Sequence, residues 1–227
     1  MKAATWLVIF IADLTLELVA VWQHWEAVQW VAKPLIVIML LARVLVVNKK
    51  KNVLWRFLIT ALFFSLLGDV SLLMDKQNPL FFMLGLGSFL LAHVAYIFFF
   101  LRVKKINLPR RKWSIPVTLC IVAYIAVLLV WLQGGLGDLR VPVLVYALAL
   151  GGMLLAAIQA FDPKSGSPAI ICIPGAVLFV ISDSLLAIDK FLYPFAAAAL
   201  VIMLTYGLAQ LLLVQGATAL QSSLDNH

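Results

Sequence analysis

Residues 54–74 read LWRFLITALFFSLLGDVSLLM. At the 1.5 Å rise of an α-helix, a stretch of that length covers about 30 Å, the thickness of a bilayer's hydrocarbon core. It carries charge only at Arg56, near one end, and at Asp69, near the other. It lacks the short alternating segments of a membrane β-barrel, so a spanning helix is predicted. Seven further apolar runs flank it, at roughly 4–22, 28–47, 79–101, 114–132, 140–160, 168–188 and 193–215. The breaks between them (23–26, 48–52, 75–79, 102–112, 133–138, 162–168 and 189–194) are short and rich in polar or turn-forming residues. In lipid every backbone polar group must be satisfied within its own segment, so the eight runs are read as helices packed on one another.

Composition agrees with this reading. The chain has 227 residues, 65% hydrophobic and 12% charged, with a mean hydropathy of +1.09. A soluble domain is near half apolar and a quarter charged. A soluble enzyme, a disordered chain and a fibrous protein are therefore excluded. The expectation is an all-α polytopic membrane protein with about eight transmembrane helices in one bundle. Residues 1–220 form a single domain and 221–227 a polar C-terminal tail. The first run carries Asp13 and Glu17 and lacks a small-residue cleavage site, so it is read as a span rather than a signal peptide.

The net charge is +7, and ten of the 17 basic residues fall in two short segments. These are Lys49, Lys50, Lys51 and Arg56, then Arg102, Lys104, Lys105, Arg110, Arg111 and Lys112. With eight spans both segments lie on one side, with the two termini and Lys164. They are topology signals facing anionic lipid, not a nucleic-acid surface, and both termini are expected to be cytoplasmic. The absence of an Asn-x-Ser/Thr sequon and the short loops favour a bacterial inner membrane. Cys120 and Cys172 sit inside apolar runs and read as packing residues. The three histidines, His24, His93 and His227, have no metal-ligand spacing, so neither a metal nor a cofactor is expected. The paired glycines Gly85/Gly87 and Gly151/Gly152 read as close-packing positions.

One internal repeat is visible. Gly68-Asp69-Val70-Ser71-Leu72-Leu73-Met74-Asp75-Lys76 reads against Ser182-Asp183-Ser184-Leu185-Leu186-Ala187-Ile188-Asp189-Lys190, at the ends of spans three and seven. A parallel 4+4 duplication is one explanation. With or without it, Asp69 and Asp183 are expected at equivalent depths inside the bundle. A charged, unpaired carboxylate there costs several kcal/mol. Two such acids sharing a secluded site are expected to divide into one protonated and one ionised group, which suits acid–base hydrolysis of an acid-labile bond. The bland alternative is helix-to-helix hydrogen bonding, or an ion pair with Lys33.

Lys33 opens span two at the same level and is either a phosphate partner or a snorkelling interfacial lysine. Asp13 and Glu17, four residues apart on span one, could join the polar cluster. Gly85, Phe89, His93 and Tyr96 share one face of span four, with His93 beyond mid-membrane and on a different level from the acids. Tyr206 and Gln210 form an i, i+4 polar pair on span eight, which by itself reads as interhelical hydrogen bonding. Ser65, Ser71, Ser182 and Ser184 lie near the two acids, and a serine nucleophile working with His93 is the weaker reading.

Several blocks together resemble one family. They are Ala32-Lys33-Pro34-Leu35, Gly68-Asp69-Val70-Ser71-Leu72-Leu73 and Gly85-Leu86-Gly87-Ser88-Phe89-Leu90-Leu91-Ala92-His93-Val94-Ala95-Tyr96. The series continues with residues 174–187, then Phe191, and ends at Tyr206-Gly207-Leu208-Ala209-Gln210. Their order and content resemble the YhhN family, with its TMEM86-like lysoplasmalogenases. The resemblance implies an eight-span hydrolase. It would cleave the vinyl ether bond of lysoplasmalogen to a fatty aldehyde and glycerophosphoethanolamine or glycerophosphocholine. It also implies Asp69 and Asp183 as catalytic acids, and Lys33, His93, Tyr96, Ser182, Tyr206 and Gln210 as further positions at the substrate. The sequence does not say which Asp takes which role; the deeper-buried one is taken as the acid. The expected partners are the lysophospholipid substrate and membrane lipid, with oligomeric state left open. A proton- or cation-coupled transporter, or a lipid-binding membrane protein, is the alternative function.

Overall fold

The structure is a computed structural model that describes residues 3–47, 53–75, 78–107, 113–161 and 167–225. The described residues form helices α1 (Ala3–Trp22), α2 (Glu26–Val47), α3 (Val53–Leu73), α4 (Pro79–Asn107), α5 (Ile115–Leu132), α6 (Arg140–Ala160), α7 (Ser167–Phe191) and α8 (Ala198–Asp225). A short 3₁₀ turn, Gly137–Leu139, leads into α6. All eight helices are long and apolar enough to cross a membrane, and the chain is an integral membrane protein. Lys49, Lys50, Lys51, Lys76, Arg110, Arg111, Lys112 and Lys164, on which the orientation partly rests, lie outside the described residues.

Three boundaries differ from the sequence reading. α4 runs on past residue 101 through Asn107 and takes Arg102, Lys104 and Lys105 into its last turns, where cations favour the helix C-terminus. The Lys104 ammonium sits 4.3 Å from the Trp113 ring centre. α7 continues through Lys190 to Phe191, and α8 begins only at Ala198 because the Asp189 carboxylate accepts the Phe195 N–H (3.2 Å) and holds the intervening turn. In the expected polar tail, 221–227, α8 continues through Asp225. Gln221 is buried there and accepts a hydrogen bond from Trp55 Nε1 at 3.1 Å, which ties the end of α8 to the start of α3.

The helices pack as close hairpins, with α7 against α8 and α3 against α4 the most intimate pairs and α4 against α6 joining the halves. These two hairpins are the pairs that a four-helix repeat would match, which accords with a duplication without establishing one. Small residues let the backbones approach. A Cβ at Gly216 would fall on the Cys172 sulfur, and one at Gly68 would lie 2.6 Å from the Phe89 ring. Gly85 and Gly151 face Leu72 and Ile125 closely, whereas Gly87 faces open space and has no packing role. Phe89 is itself wedged against Tyr206 and Phe179, so it cannot yield cheaply. Gly68→Ala is therefore expected to destabilise the protein by about 1–3 kcal/mol through overpacking, read as a lowered thermal midpoint in detergent. An unchanged midpoint would show that this contact is loose.

Candidate active site

Two hydrogen-bonded groups lie inside the bundle, one around each aspartate. In the first, α7 presents Asp183, α4 presents His93 and α6 presents Tyr146. The Tyr146 hydroxyl donates to Asp183 Oδ2 at 2.5 Å, and His93 Nε2 lies 2.9 Å from the same oxygen. Tyr146 and His93 are 3.1 Å apart, so three polar atoms converge. With Nε2–H donating to the carboxyl, His93 Nδ1 is left unprotonated, buried and without a hydrogen-bond partner among the described residues. Asp183 Oδ1 makes no hydrogen bond among the described residues and is the oxygen free to act on a ligand. Beside this group Ser184 donates to the Val180 carbonyl (2.7 Å) and pairs with the Tyr124 hydroxyl (2.7 Å).

The second group is a chain of four side chains from three helices. The Tyr206 hydroxyl donates to Asp69 Oδ2 at 2.6 Å. Gln210 Nε2 donates to the Tyr206 hydroxyl at 3.3 Å, and the Tyr96 hydroxyl donates to Gln210 Oε1 at 2.6 Å. The Lys33 ammonium stands 3.9 Å from Asp69 Oδ1. Asp69 is 1% exposed and Asp183 9%. No hydrogen bond joins the two carboxyls among the described residues. Phe179 of α7 lies between the groups, its ring centre 4.9 Å from His93 on one side and 5.6 Å from Tyr206 on the other.

Two cavities lie beside these groups, and Asp69 is in the lining of neither. A narrow apolar crevice between α3, α4, α5, α6 and α7 reaches Asp183, and among the described residues the other polar side chains lining it are Ser184 and Tyr146. A polar vestibule of about 380 Å³ is lined by Glu17, Lys33, Asp75, Asp189 and Lys190, among others. Leu72, Phe82 and Leu186 line both cavities. Where the walls join, Lys190 forms an ion pair with Asp75 (2.6 Å) and lies over the Phe82 ring. This couples the second acid of one repeated motif to the lysine of the other. The vestibule lies at the end of the bundle where α1, α3 and α7 finish. Arg43, Arg56, Arg102, Lys104 and Lys105 belong to the opposite end.

Most sequence-derived residues are thus gathered, but not as one cluster. His93 bonds Asp183 directly, although the sequence placed it on another level. Asp183 lies about two turns from the end of α7 at Phe191, and Asp69 about one turn from the end of α3 at Leu73. Ser182 turns from the acids and donates to the Ile202 carbonyl at 3.1 Å, joining α7 to α8. Ser71 donates to Leu67 O, and no serine bonds His93 among the described residues. Tyr146 escaped the sequence reading. Its only signal was a polar-tipped ring in the middle of an apolar span, and its partners lie 37 and 53 positions away. No group of three His, Cys, Asp or Glu fit to hold a metal occurs among the described residues.

Comparison with known proteins gives one family. Lysoplasmalogenase of Mycobacterium tuberculosis is 35% identical over 164 residues, 71% of this chain and 60% of the relative. Lysoplasmalogenase TMEM86B of Mus musculus is 33% identical over 157 residues, 69% of this chain and 61% of the relative. The human protein of that name is 32% identical over the same length. The matched region thus spans about 60% of the length of these curated relatives. No solved structure matches the chain. The YhhN family description matches residues 28–217, which hold both aspartates and every side chain bonded to them, and the chain belongs to the YhhN family.

Proposed function

We propose that the protein is a membrane hydrolase that cleaves the vinyl ether bond of a lysoplasmalogen. The products would be a fatty aldehyde and a glycerophospho-alcohol, with Asp183 and Asp69 as the reacting acids. The observation that carries this reading is the place of Asp183 in the wall of an apolar crevice that shares walls with a polar vestibule. One ligand with an apolar chain and a polar head would fill both. The names of the relatives support the substrate class.

The chemistry follows from the bond. A vinyl ether reacts by taking a proton on its β-carbon, which leaves an oxocarbenium ion. Asp183 would deliver that proton from Oδ1 while Oδ2 stays anchored by Tyr146 and His93. Burial alone assigns the acid role to Asp69; the neighbouring Lys33 ammonium argues otherwise, since it pairs with a carboxylate. Asp69 would therefore be the anion that stabilises the cation and takes a proton from the attacking water, as two carboxylates divide roles in glycoside hydrolysis. Water adds to the carbon bearing oxygen. The hemiacetal then breaks its bond to the glycerol oxygen, which takes the proton held by Asp69 while the hemiacetal hydroxyl gives its proton to Asp183, so both acids return to their starting states. One water is consumed and no redox change occurs. Cytoplasmic termini would place the vestibule on the outer face of the membrane.

The test is aldehyde release from lysoplasmenylethanolamine by purified protein in detergent, run in D₂O. Protonation at the β-carbon places one deuterium on the aldehyde carbon next to the carbonyl. Aldehyde without that label, corrected for exchange, would remove the mechanism. No aldehyde from folded wild-type protein would turn the reading toward cation or lipid binding.

A further inference from the structure

Glu17 lines the vestibule with Glu26, Asp75 and Asp189, and the proposed reaction gives it no task. It lies before residue 28, where the family match begins, so shared family blocks do not account for it. Its side chain is 0% exposed, it forms part of the vestibule wall, and neither carboxyl oxygen has a hydrogen-bond partner among the described residues. A buried carboxylate left this way is costly, and a paired cation removes the cost. The other charges nearby are already engaged. Lys190 is held by Asp75 at 2.6 Å, and Asp189 accepts the Phe195 N–H. Lys33, Asp69 and Asp13 are the charged groups close enough to act on Glu17, and Lys33 sits only loosely on Asp69 at 3.9 Å.

The vestibule wall therefore carries one loosely held cation and one anion without a hydrogen-bond partner among the described residues, the complement of a zwitterion. We infer that Glu17 is a specificity residue that binds the primary ammonium of an ethanolamine head group, while Lys33 takes its phosphate. This deepens the hydrolase reading and rests on it for the identity of the lipid. Two free carboxyl oxygens match a group that donates N–H bonds. A quaternary choline has no N–H to give.

The experiment measures binding without turnover, using saturated 1-O-alkyl lysolipids that carry no vinyl ether. Isothermal titration of the full chain in detergent compares the phosphoethanolamine, phosphocholine and bare phosphate forms. Wild type is expected to bind the ethanolamine form about tenfold tighter than the other two, the size of one charge-assisted hydrogen bond. Glu17→Gln should bring the three within about twofold of one another, Lys33→Gln should weaken all three together, and Asp13→Asn should leave the order intact. Equal wild-type affinities, no binding, or a parallel loss in Glu17→Gln overturns the inference, and the wild-type order decides even if a variant misfolds. Selective binding without aldehyde release would sink the hydrolase reading and leave the head-group site standing.

Discussion

Asp183→Asn is expected to lower aldehyde release about 10²–10⁴-fold, the usual span for removing a positioned general acid. The amide keeps the shape of the carboxyl. Its oxygen can still accept from Tyr146 and His93, so the hydrogen-bonded group that ties α4, α6 and α7 together persists. What is lost is the transferable proton at the position of Oδ1. The fall should appear in kcat, while the affinity for a non-hydrolysable alkyl analogue changes less than about threefold. Single-turnover aldehyde release and calorimetric binding, both in the same detergent, separate the two. Activity within about threefold of wild type, from a variant with a wild-type melting curve, would take the acid role away from Asp183.

Phe179→Ala is expected to cost about 3–5 kcal/mol, as for large-to-small changes at other closed aromatic sites. The ring is 0% exposed. It meets His93, Tyr96, Tyr206 and Phe89 with centroid separations of 4.9, 6.2, 5.6 and 6.5 Å, all in edge-on geometry. Removing it opens a hole bordered by both hydrogen-bonded groups, so neither keeps its geometry. At roughly 2–4 °C per kcal/mol for a chain of this size, the thermal midpoint should fall by about 6–20 °C. Phe179→Leu, which refills part of the space, should recover a share of both stability and turnover. A loss below about 1 kcal/mol in the alanine variant would mean that the surrounding rings collapse into the space and that the two groups are held independently.

The sequence made the bundle legible because the bilayer leaves few options. A run such as residues 54–74 has to be a helix, since no other fold of so short an apolar segment satisfies its own backbone in lipid. Asp69 and Asp183 were legible for the same reason, because a carboxyl in an apolar span is expensive and demands an explanation. Helix ends were less legible. Charged residues such as Arg102, Lys104 and Lys190 look like loop in a hydropathy reading, yet a helix extends past the membrane edge at no penalty. Tyr146 stayed hidden, since a tyrosine costs little to bury and one hydroxyl barely changes the character of its span.

What the sequence by itself determined is the eight-helix membrane architecture, the family blocks and the two buried acids, because burying polar groups in lipid is a property of each segment alone. What only the tertiary structure decided is the company those acids keep. Asp183 with Tyr146 and His93, Asp69 with Tyr206 and Lys33, Phe179 between them and Glu17 without a partner all depend on how neighbouring helices are rotated and how far each extends. Those are settled by side-chain packing between segments distant in the chain, such as α7 against α4 and α6, which no local pattern records.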